Sequence, residues 1–184
     1  MQRLVYTLAL SILLFSCGGN SSYEDKDSLL DLKEELISEF GDDAYYTNLA
    51  IMNSENGTVI NVSQTDDPSS LKMSEWNYFN GDWNQNSEIT LEISGDTKAE
   101  DFMFQLNDKV VDFEILGKAV EEAKEKIISE KKIEEVRVAS ILINAPKDGD
   151  FNSMEYYITI NPKSGGTRFD FRYGMDGTLK DFDY

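Results

Sequence analysis

The stretch FEILGKAVEEAKEKIISEK, residues 113–131, with IEEVRVASILIN after it, residues 133–144, decides the fold class. In the first segment Leu116, Val120, Ala123 and Ile127 recur at helical spacing and make one apolar stripe. Glu121, Lys124, Glu125 and Lys126 form a charged outer face, read as solvated pairs worth a few tenths of a kcal/mol each. Ile133 to Asn144 then switches to a long β-branched run, which predicts a strand. A loop follows from Pro146 to Asn152. Further strands are predicted over Met154–Asn161, Thr167–Tyr173 and Thr178–Tyr184, separated by turns at Pro162–Gly166 and Asp176-Gly177. Gly165-Gly166 reads as a turn signal and not as a phosphate loop. The order is one helix and then four strands.

The preceding part of the chain repeats that order. Leu29, Leu32, Leu36 and Phe40 mark a helix over Ser28–Phe40, with Ser28 as its expected cap and Gly41 beyond its end. Ala44–Asn53 reads as a strand with Tyr45, Leu49 and Ile51 on one face. Asn56-Gly57 signals a hairpin to Thr58–Gln64. A second hairpin joins Glu75–Phe79 to Trp83–Ile93 through Asn80-Gly81. Segment Asp101–Leu106 reads equally well as a strand or a helical turn. The expected fold is α+β: two successive helix-plus-antiparallel-sheet units, a duplicated αββββ, each helix on one sheet face. The units span residues 28–94 and 113–184, with a connector over 95–112.

Composition narrows the function classes. The chain has 184 residues, 40% of them hydrophobic, enough to bury a core. Histidine is absent, which excludes histidine triads, histidine metal sites and the usual general base near neutral pH. The formal charge is −18, so nucleic acid is not an expected partner, because binding phosphates needs basic patches. The single cysteine, Cys17, leaves no partner for an internal disulfide.

The N-terminus carries the most specific signal. Arg3 precedes an apolar run from Leu4 to Phe15 that is shorter than the ~20 residues a membrane span needs. It reads as a secretory signal, residues 1–16. Leu14-Phe15-Ser16-Cys17 resembles the lipobox of bacterial lipoproteins. That resemblance implies cleavage before Cys17, lipid on its thiol, and stable anchoring by two or more acyl chains. Residues 17–27 would form the lipidated tether, with Gly18-Gly19-Asn20-Ser21-Ser22 as its flexible part. Gly18, where an aspartate would retain the protein in the inner membrane, implies the outer membrane of a Gram-negative envelope. The stretch from Ile115 to Tyr184 is also similar in element order to PepSY-type modules. The tandem arrangement resembles the β-lactamase-inhibitor-protein architecture. Both imply a binding or inhibitory scaffold and no enzyme.

No residue set announces catalysis, a cofactor or a metal; a hydrolase using paired carboxylates is the remote alternative, and among 35 acids no spacing singles out a pair. Asp148, Asp150 and Asn152 begin like a calcium loop, but Ser153 and Thr159 stand where its glycine and glutamate belong. Asp42-Asp43 and Asp66-Asp67 read as hydrated loop acids. Ser129 to Lys132 lies at the end of a charged helix and reads as surface. Trp76, Tyr78 and Trp83 around Asn80-Gly81 are the candidate contact residues, either for an envelope protein or peptide or for sugar rings. The competing expectation is that they pack in the core or across strands. Two exposed tryptophans on one flat face would favour the glycan.

Overall fold

The structure is a computed structural model, and it describes residues 22–93, 97–107 and 109–184. The signal segment, Cys17 and the Gly95-Asp96 start of the connector lie outside the described residues.

Helix α1 spans Lys26–Phe40 and α2 spans Phe113–Lys131. The first four strands are β1 (Tyr45–Ser54), β2 (Gly57–Thr65), β3 (Lys72–Phe79) and β4 (Asp82–Thr90). The last four are β5 (Val136–Asn144), β6 (Glu155–Pro162), β7 (Phe169–Gly174) and β8 (Leu179–Asp183). The expected α+β class holds, but the strands do not make two sheets. They form one eight-stranded antiparallel sheet in the order β4-β3-β2-β1-β5-β6-β7-β8. The join is the pairing of β1 with β5, from Asn48 opposite Asn144 to Met52 opposite Ser140. This pairing removes two apolar edges that separate units would leave bare.

Alternation puts Leu49, Ile51, Ile60, Val62, Val138, Ile141, Ile143, Tyr156, Ile158 and Ile160 on one face, all buried. The helices contribute Leu29, Leu32, Leu36, Leu116, Val120, Ala123 and Ile127 to the same core. The helices meet closely where Gly117 lies against the backbone of Lys26.

Local details depart from the sequence reading in several places. The cap of α1 is Asp25, not Ser28; Ser28 answers from the third helical position, so the two residues form a reciprocal box. In β1 the buried ring is Tyr46, not Tyr45, because a register shift between Tyr46 and Asn48 reverses the alternation. Strand β4 ends at Thr90, short of Ile93, and lies at the sheet edge, where Ile89 is exposed. The ambiguous segment within the connector resolves as both forms, a 3₁₀ turn over Ala99–Phe102 and a bridge from Phe104 to Tyr46.

Candidate binding surface

The Asn80-Gly81 turn brings the aromatic candidates together. Asn80 and Gly81 both have positive φ (56° and 94°), which places Phe79 opposite Asp82 and Tyr78 opposite Trp83. Phe40, at the end of α1, inserts beside them. Its ring centroid lies 5.5 Å from Trp76 and 5.0 Å from Trp83, both edge-on, and Trp83 is 5.2 Å from Tyr78. Trp76, Tyr78 and Trp83 are half-buried and pack against the core. The indole nitrogens of both tryptophans are buried. The three residues thus sit together on the helix side as a stapled cluster, and the two indoles do not form an open platform.

The opposite face of the sheet is different in kind. Cross-strand register aligns Phe79, Val59, Met52 and Ser140 in one row across β3, β2, β1 and β5. The next row runs Asn77, Asn61, Ala50, Leu142, Tyr157 and Arg172. Phe79 is 43% exposed, Met52 42% and Tyr157 40%, so an apolar strip crosses this face without a helix over it. Asparagine pairs stitch the strands around it: Asn77 donates to Asn61 at 2.9 Å, and Asn48 to Asn144 at 2.9 Å. Acidic groups border it: Glu75, bonded by Ser87, and Glu155 and Asp181, both on Arg172. Alternation along β3 puts Phe79 with Asn77 on this side, away from Trp76 and Tyr78. What could not be read was that no element among the described residues covers it, since that depends on both helices choosing the other face.

Towards the start of β1 the same face is partly closed. Met73 and Met103 are fully buried yet lie outside the main core. The chain after β4 returns beside Asn144, where Thr47, Leu91, Ile93, Phe102 and Pro146 line a groove of about 610 Å³.

The other sequence candidates find modest roles. Asp148 and Asp150 accept backbone N–H groups of Asp150 and Asn152, so they fasten their own turn. Among the described residues no group of three or more acids, histidines or cysteines is placed to hold a metal ion. Lys124 is not simply solvated: its Nζ donates to the carbonyl of Glu24.

Among the described residues no helix is long and apolar enough to cross a membrane. Neither known protein families nor curated proteins give a match to the sequence. Among solved structures, a protein of Clostridium difficile 630 described as a "putative lipoprotein" aligns with 84% of this chain and 90% of its own. The two share 15% identity at a TM-score of 0.48. A likeness at that level does not extend to function.

Proposed function

We propose that the protein is a lipid-anchored component of a bacterial envelope whose uncovered sheet face binds a partner protein, without catalysis. The anchor rests on the lipobox-like Leu14-Phe15-Ser16-Cys17. The binding reading rests on one observation: the strip of Phe79, Val59, Met52, Leu142 and Tyr157 faces solvent on a sheet whose other side holds both helices. Large apolar side chains grouped on a surface and rimmed by polar ones are the usual form of a protein contact. The acidic rim and the −18 charge favour a basic partner. Trp76, Tyr78 and Trp83 brace the hairpin that carries Phe79, and so shape the surface from behind. The glycan reading loses the flat exposed tryptophan pair it required. A duplicated αββββ unit accounts for the outward-mirrored strand order, and the outer membrane remains the compartment suggested by Gly18.

Two experiments test this. Mass spectrometry of the protein from envelope membranes should find Cys17 N-terminal and acylated, and Cys17→Ser should abolish membrane association. Unmodified Cys17 refutes the anchor. The mature protein should then capture a specific envelope protein, and a Met52→Glu, Phe79→Glu variant that still folds should not. Equal capture by that variant, with loss in Trp76→Ala, Trp83→Ala, moves the site to the hairpin's helix side.

A further inference from the structure

We infer that the turn between β6 and β7 is a phosphate-binding cradle, and that the phosphate it takes belongs to a lipid head group. The chain has four arginines, and Arg3 precedes the lipobox. Two of the other three, Arg137 and Arg168, line one pocket of about 340 Å³ together with Lys163, Asn161 and the Gly165-Gly166 pair. In a chain of charge −18 this concentration of cations stands against the composition. Arg137 projects from β5 opposite Asn161 of β6. Its Nε is buried without a partner among the described residues, as is Asn161 Oδ1. Its Nη1 lies 3.9 Å from Glu55, too far for a hydrogen bond, and Glu55 is 87% exposed. Arg168 is aimed by Asp170, which accepts its Nε at 2.8 Å and leaves the two terminal nitrogens of the guanidinium for another oxyanion. The Lys163 ammonium has no partner among the described residues, and its backbone is pinned by the carbonyl of Glu135. Gly165 and Gly166 hold positive φ, and a Cβ on either would meet nothing within 4 Å, so the floor of the turn is open. Three donors of fixed charge around an open turn suit a tetrahedral oxyanion, with Glu55 as the one acid lining the pocket.

The source follows from where the chain enters the fold. Tyr23 is fastened to Asn53 near the end of β1, and Glu24 accepts the N–H of Val138 near the start of β5. Both anchors lie at the sheet end that carries this turn, since Val136 pairs with Pro162. Six residue steps carry the chain from Cys17 to Tyr23, a span of at most about 22 Å. A lipid on Cys17 therefore sets this end of the sheet at head-group depth. Choosing a lipid phosphate over a free one rests on the anchor proposed above; the cradle itself does not.

The test uses the mature protein in phosphate-free maltoside micelles, with the amide NMR signals of Gly165 and Gly166 as the readout. The titrants are inorganic phosphate, phosphatidylglycerol and a phosphate-free glycolipid. Both signals should shift with phosphatidylglycerol and with inorganic phosphate, and stay still with the glycolipid. Arg137→Gln, Arg168→Gln should weaken the response at least tenfold with an unchanged Tm, and Glu55→Gln should strengthen it about twofold. A response to inorganic phosphate alone upholds the cradle and overturns the lipid as its source. No response to either phosphate, or an equal response in the arginine variant, overturns the cradle. Missing acylation of Cys17, read by mass, refutes the anchor and leaves the inorganic phosphate result standing.

Discussion

Asn53 and Tyr23, thirty positions apart, exchange two hydrogen bonds: the Tyr23 N–H donates to Asn53 Oδ1 at 3.3 Å, and Asn53 Nδ2 donates to the Tyr23 carbonyl at 3.1 Å. The same amide also donates to the Val138 carbonyl at 3.2 Å and accepts the Thr58 hydroxyl at 2.7 Å. One buried side chain thus ties the entering chain to β1, β2 and β5. Asn53→Leu should cost about 2–4 kcal/mol, because Thr58 and the two carbonyls lose a buried partner together. Urea unfolding checks this; a loss under 1 kcal/mol would show that the entering chain contributes little.

Gly117 sets the helix crossing. A Cβ there would stand 2.8 Å from the Lys26 Cα, a backbone atom that cannot swing aside. Alanine gains about 1 kcal/mol in helix propensity over glycine, but overpacking costs about 1–3 kcal/mol. The clash wins, so Gly117→Ala should lower the Tm, and Gly117→Val should lower it further.

The last strand is held by rings and cations. Phe182 stacks 4.5 Å from Phe171, and Lys131 Nζ lies 3.2 Å from the centre of the Tyr184 ring. Tyr184 is 66% exposed, so its contribution belongs at the lower end, about 0.5–1 kcal/mol. A double-mutant cycle of Lys131→Met and Tyr184→Leu should return a coupling of that size. Phe182→Ala should cost more than either single change, by loss of stacking as well as cation contact.

Alkaline pH should unfold the protein. Burial pushes the Tyr173 hydroxyl up to about 12, and burial likewise raises Tyr23, Tyr46 and Tyr156. In the unfolded chain these groups ionise near 10. The folded state therefore holds protons that the unfolded state releases, so stability is full below about pH 10 and falls as pH rises towards 12. Tyrosinate absorbance from these four rings should appear only with the loss of structure. Its appearance while the fold is intact would contradict the burial.

Much of the architecture was legible locally. Helical spacing located α1 and α2, and alternation located all eight strands to within a few residues. Asn80-Gly81 forms its turn as read, whereas Gly57 opens β2 and leaves Glu55 and Asn56 as the connection. The seam between β1 and β5 was not legible, because alternation says which face a strand buries and not which strand lies beside it. The reversal at Tyr46 was hidden for a related reason: one extra residue in a strand is invisible without its partner. The phosphate cradle was not legible in Gly165-Gly166, which alone signal a turn, because Arg137 and Arg168 lie thirty-one residues apart and meet only through the β5–β6 pairing.

The seam also orders events in time. The chain emerges N-terminus first, and β1 is complete long before β5 exists. Until residues 136–144 arrive, the early half holds a ten-residue β1 with its far side unpaired, a template open to any passing strand. The late half is the guard that closes it, so a truncated chain ending before β5 should accumulate as aggregates instead of as a smaller soluble fold.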